Sequence, residues 1–146
     1  MKHLAPVLVG LTGLGSCQAP AATGPATLVG HWACDTATSV VLDRAGQPTG
    51  AADSSQIGSQ VLVVTPTRLL MPEVIPGGDT TEWTYTRRQD TLFVQYVRLQ
   101  GRPFSLADVW RVAKLTPATF VLERTIQDEG EPYPHRYRWH YHRTPR

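Results

Sequence analysis

The sequence predicts an all-β domain, a small antiparallel up-and-down β-barrel of about eight strands. Three observations predict it. Short runs rich in Val, Thr, Tyr and Trp recur through residues 28–146, broken by Pro, Gly and Asp. No window of about 11 residues or more carries a convincing apolar stripe at helical spacing. Compact turn sequences join successive runs, so neighbours along the chain are expected to be antiparallel neighbours in the sheet.

The runs lie at 29–35, 38–43, 60–65, 68–71, 80–87, 91–98, 108–115, 119–127 and 135–142. Residues 105–114 come closest to a helix, but Trp110, Val112 and their β-branched neighbours favour a strand. Thr65-Pro66-Thr67, Arg88-Gln89-Asp90 and Thr116-Pro117-Ala118 are the expected hairpin turns. Proline suits the two Thr-Pro turns because its φ is already set and it donates nothing to a ladder. Residues 44–59 hold almost nothing apolar and read as a long mobile loop, with further loops at 73–79 and 100–104. The acidic turn at 128–132 reads as solvated surface. Eight or nine strands on about 120 residues suit a barrel or a sandwich, and closing the sheet removes its exposed edges.

The first residues read as an address rather than as fold. Lys2 and His3 give a short positive start, and residues 4–14 form an uncharged, mostly apolar run of 11. At about 1.5 Å per residue this run is short for a hydrocarbon core of roughly 30 Å. It has the pattern of a signal peptide. It ends in Leu14-Gly15-Ser16-Cys17, which resembles a bacterial lipobox. That resemblance implies a signal peptide over 1–16, cleavage before Cys17, and acylation of Cys17 by chains such as palmitate. Residues 17–27, rich in Ala, Pro and Thr, then form a flexible tether to a domain over 28–146. The implied partner is a membrane, reached through the lipid anchor. No acidic run follows Cys17 and no Asp stands directly after it. By analogy the expected place is the bacterial envelope, anchored at the outer membrane and facing the periplasm.

Leu28-Val29-Gly30-His31-Trp32 opens the first strand. A Gly-x-Trp there resembles the lipocalin signature. Trp83-Thr84-Tyr85, Asp90-Thr91-Leu92, Trp110-Arg111-Val112 and Leu115-Thr116-Pro117 follow the cadence of small lipocalin-like lipoprotein domains of the Bacteroidetes type. The resemblance covers most of residues 28–142. It implies that Gly30 and Trp32 mark the closed end of the barrel. It also implies an arginine from the last strand packed over Trp32. Arg138 is the best match, with Arg136 and Arg143 as alternatives. Strand alternation conflicts with Arg138, because it sets His135, Tyr137, Trp139 and Tyr141 on one face and Arg136, Arg138, His140 and His142 on the other.

The same alternation turns Trp32 and Cys34 to one face. Trp83 with Tyr85, Leu92 with Val94 and Tyr96, Trp110 with Val112, and Phe120 with Leu122 behave alike. Converging inward, Trp83, Tyr85, Tyr96, Trp110, Phe120, Tyr137, Trp139 and Tyr141 are the candidate barrel lining. They either fill a core, as in many small barrels, or wall a cavity for a small apolar ligand.

Catalytic signals are few. No Gly-x-Ser-x-Gly, HExxH, P-loop, dinucleotide fingerprint or CxxC occurs. Cys34, on an inward face, reads as an inert core thiol rather than a nucleophile. His140 and His142, even with His135, lack a fixed third ligand and point to no metal. No cofactor is expected. Residues 133–146 hold four Arg, no acid and four aromatics, a mixture that can bind single strands. A net charge of +2 from 14 basic and 12 acidic residues is too balanced for a nucleic-acid binder. The expected function is a non-enzymatic envelope lipoprotein whose barrel binds a small apolar ligand. A protein-interaction scaffold with a filled core and a cryptic barrel enzyme are the alternatives.

Overall fold

A computed structural model of the chain describes residues 26–72, 79–99 and 101–145, the side chains of Ser59, Tyr96 and Leu99 excepted. Eight strands follow in order: β1 (Gly30–Val41), β2 (Asp53–Val64), β3 (Arg68–Met71), β4 (Thr81–Arg88), β5 (Thr91–Leu99), β6 (Arg102–Leu115), β7 (Thr119–Ile126) and β8 (His135–Arg143). Each pairs antiparallel with the next, and β8 returns to β1, so the sheet closes into a barrel in sequence order. Among the described residues there is no helix.

Nine apolar runs become eight strands because 29–35 and 38–43 are two halves of β1. Its register shifts between Cys34 and Thr36 against both β2 and β8. An extra residue at that point bends the strand around the barrel wall. Further shifts fall at Thr84/Tyr85, Val94/Tyr96 and Val112/Lys114.

The expected loop at 44–59 is shorter than its composition suggests. β2 begins at Asp53, and its polar start pairs with Thr36 to Ser39. Backbone pairing holds this stretch although its side chains face water. The turn before it is ordered too. Asp43 Oδ1 accepts the amide hydrogens of Ala45 and Gln47, each at 2.8 Å, the usual device of an Asx turn. Residues 102–104, also expected in a loop, belong to β6. Gly101, with φ of 71°, makes the turn that precedes them. Residues 73–78 of the expected 73–79 loop lie outside the described set.

The two Thr-Pro hairpins close identically. The amides of Thr65 and Thr116 donate to the carbonyls of Arg68 and Thr119, at 2.9 and 2.8 Å. Their hydroxyls accept the amides of Arg68 and Thr119 at 2.9 Å. These hairpins, the β4–β5 turn, and the start of β1 beside the end of β8 share one end of the barrel.

That end is filled. Trp32 and Cys34 are fully buried, with Leu28, Leu62, Val64, Leu69, Leu92, Val94, Val112 and Phe120 around them. Phe120 meets Trp32 edge-on at 4.7 Å and stacks on Tyr141 at 4.5 Å between ring centres. Each such side chain contributes about 1.5–3 kcal/mol through burial.

Gly30 and Trp32 stand at this filled end, and the arginine over Trp32 is Arg143, not Arg138. Arg143 Cζ lies 4.1 Å from the Trp32 ring centre. Its Nε donates to Pro117 O at 2.7 Å, Nη2 to Thr27 O at 2.6 Å and Nη1 to Val29 O at 3.3 Å. Trp32 Nε1 donates to Leu28 O at 2.8 Å. A Cβ on Gly30, whose φ is +153°, would collide with the Arg143 guanidinium. Parity explains the choice: 143 shares the inward face of 139 and 141, whereas Arg138 faces outward and donates to Glu123 Oε2 at 2.7 Å. Arg136, also outward, donates to Gly46 O at 3.1 Å.

A candidate ligand cavity in the barrel mouth

The half of the barrel away from Trp32 is not filled. A half-open cavity of about 370 Å³ lies there, lined by Gln60, Leu62, Met71, Thr81, Trp83, Trp110, Leu122, Arg124, Trp139 and Tyr141. Its size falls within the roughly 300–1,000 Å³ of small-molecule sites. Leu62, Leu122 and Tyr141 belong to the buried core, so they form the floor.

Aromatic rings make the walls. Trp83 on β4 and Trp110 on β6 meet edge-on at 5.6 Å. Along β8, His135, Tyr137 and Trp139 stack successively at 6.1 and 6.0 Å. The register sets Trp139 beside Leu122 and Tyr137 beside Arg124, which carries the aromatic row from the rim to the floor.

Polar groups enter at three places. Gln60 Nε2 donates to the Met71 sulfur at 2.8 Å. Asp108 Oδ2 accepts Trp110 Nε1–H at 2.8 Å and fixes that indole, while Oδ1 accepts the Val109 amide at 2.8 Å. Arg124 reaches the same carboxylate, Nε to Oδ2 at 2.5 Å, and lies 5.7 Å from the Trp110 ring centre. Yet the Arg124 N–H does not aim at the carboxylate, and this buried nitrogen has no hydrogen-bond partner. Charge proximity without a directed bond describes the pair best.

Burial also sets the ionisation of nearby groups. It pushes the Tyr141 hydroxyl well above its ordinary range, with Cys34 a smaller cause. Burial and then the Asp35 charge push the Cys34 thiol from 9.0 up to about 11. That thiol makes a long contact of 3.5 Å to Thr36 O and is shut from solvent, so it is not placed for nucleophilic chemistry.

The chain matches no family model, no curated protein and no solved structure. The site must therefore be read from its own residues.

Of the expected lining, the structure brings Trp83, Trp110, Trp139 and Tyr141 together around the cavity. Three others stand elsewhere. Tyr85 is core, its hydroxyl donating to Thr65 O at 2.7 Å near the closed end. Phe120 lies beneath the floor, between Trp32 and Tyr141. Tyr137 stands above the cavity at the rim, its hydroxyl 3.4 Å from Asp128 Oδ2. The Tyr96 side chain and Cys17 lie outside the described residues.

Gln60, Met71, Thr81 and Arg124 were not expected in the lining. Arg124 had a usable signal, since it stands two residues after Leu122 and four after Phe120 on one strand face. On the outer wall, His142 Nδ1 lies 2.7 Å from Asp35 Oδ2. Among the described residues, no three His, Cys, Asp or Glu side chains converge as a metal site would require.

Proposed function

We propose that this chain is a lipid-anchored envelope protein of lipocalin-like design whose barrel reversibly binds a small apolar ligand. The carrying observation is the cavity of about 370 Å³ walled by Trp83, Trp110 and Trp139. Broad, rigid rings supply large contact area at little entropic cost. The Arg143–Trp32 packing under Gly30 adds weight to the lipocalin-like reading.

Leu14-Gly15-Ser16-Cys17 supports the anchor. Cleavage would leave Cys17 as the acylated first residue, with residues 18–27 as tether. Buried methylenes contribute about 0.8 kcal/mol each, so two or more chains anchor stably. We assign the outer membrane and its periplasmic face by analogy. Among the described residues the cavity walls hold no nucleophile beside a base, which favours a binder over an enzyme.

Native mass spectrometry of the protein purified from its own host tests the reading. A bound small molecule is expected, and its loss on Trp83→Ala would place it in the cavity. A clean unliganded mass, with no saturable uptake of any apolar probe, would remove the proposal. Separately, a mass two or more acyl chains above the polypeptide cleaved before Cys17 is expected, and Cys17→Ser should abolish it.

A further inference from the structure

Three places could carry chemistry beyond this reading. The outer-wall depression holds His142 and Asp35 already paired to each other, both exposed. Cys34 is sealed in the core. The third is the Arg124–Asp108 pair in the cavity wall, where donors and acceptors do not balance.

Asp108 is well supplied. Its two oxygens take the Val109 amide and the Trp110 indole N–H, with a guanidinium beside them. Its charge is spread over several donors. Arg124 is the opposite case. Its Nε is buried beside the Asp108 carboxylate without a directed hydrogen bond. Among the described residues it is also the one charged side chain lining the cavity. A guanidinium carries five donors in a planar fork, and a carboxylate matches two of them side by side. Enclosure by Trp110, Trp83 and Trp139 lowers the local dielectric and strengthens any such pairing.

We infer that the cavity takes an amphipathic carboxylate, its apolar body between Trp83, Trp110 and Trp139 and its carboxylate on the terminal nitrogens of Arg124. Asp108 is then a positioning residue. It holds the Trp110 indole by hydrogen bond and draws the guanidinium against it by charge. This inference rests on the cavity being a ligand site and adds the class of ligand.

The test uses three naphthalene probes of one shape, each titrated by calorimetry into the full chain. They are 2-naphthaleneacetate, the uncharged 2-naphthaleneacetamide and the cationic 2-naphthaleneethylammonium. The acetate should bind at least tenfold more tightly than the amide, and the cation more weakly than either. Arg124→Gln should erase the difference between acetate and amide, and a cooperative thermal transition shows that the variant folds. Asp108→Asn should weaken the acetate through disorder of Arg124 and Trp110, and blunt the change in tryptophan emission on binding. Equal binding of acetate and amide, or tightest binding of the cation, overturns the inference and leaves the ligand site standing. Binding of none of the three overturns the site reading and the inference with it.

Discussion

Arg143 holds its guanidinium carbon 4.1 Å from the centre of the Trp32 ring, across the space that a side chain on Gly30 would occupy. The pair joins the last strand to the first and shuts one end of the barrel. Three backbone carbonyls, of Thr27, Val29 and Pro117, accept from that guanidinium. Arg143→Ala should cost about 2–4 kcal/mol, summing a cation–π contact and charge-assisted bonds. Arg138→Ala, which breaks only a half-exposed pair with Glu123, should cost less than about 1 kcal/mol. Urea denaturation of both variants measures the contrast.

Gly30→Ala should destabilise by about 1–3 kcal/mol, because its φ of +153° disfavours any L side chain and the new methyl meets Arg143. In an Arg143→Ala background the steric part vanishes while the backbone part remains. A double-mutant cycle should therefore show coupling between the two sites. Full additivity would contradict the packing described.

The buried thiol gives an alkaline signature. Cys34 is raised from 9.0 to about 11 in the fold. Its protonated form is thus favoured by folding. The contribution is complete below the unfolded value and is lost as pH rises toward the folded one. Stability should hold to about pH 8.5, then fall through pH 9–11 by an amount of order 2 kcal/mol for this group. Burial raises Tyr85 and Tyr141 as well, and they steepen the fall. Cys34→Ala should flatten the pH 9–11 segment of the curve. At pH 8 a thiol reagent should label native Cys34 only as fast as the protein opens.

Filling the cavity should separate binding from folding. Thr81 lines the mouth at the start of β4 and is only half-buried. Thr81→Trp should abolish uptake of apolar probes while shifting Tm by only a few degrees. Binding that survives this change would place the ligand elsewhere.

Much of the barrel was legible because its strands carry one buried face. Val, Leu and aromatic side chains at alternate positions on β4 to β8 announce themselves, and Thr-Pro punctuates the closed end. The rim strands were not legible. Residues 53–56 and 102–104 are exposed, so only backbone pairing identifies them as strand. Bulges were invisible for a related reason. A shift such as the one between Val94 and Tyr96 resets which residues share a face, and composition does not record it. Motif likeness favours Arg138, but parity opposes it, and Arg143, the alternative that shares the face of Trp139 and Tyr141, takes the place over Trp32. An arginine within Leu-Glu-Arg-Thr carries no compositional mark of a cavity wall. Asp108 and Arg124 each stand two residues from an inward aromatic or leucine, and that spacing already aimed them at the interior.

On the proposed reading the Trp83–Trp110–Trp139 space accepts a small apolar molecule while the Trp32 end does not. Heavy-atom quenching of tryptophan emission by a brominated naphthalene tests this most directly. A saturable, one-to-one loss of emission is predicted, confined to the three cavity indoles. A variant with Trp83, Trp110 and Trp139 all changed to Phe should keep the emission of Trp32 unquenched. Unsaturable quenching, or Trp32 quenched as strongly as the others, would contradict the account.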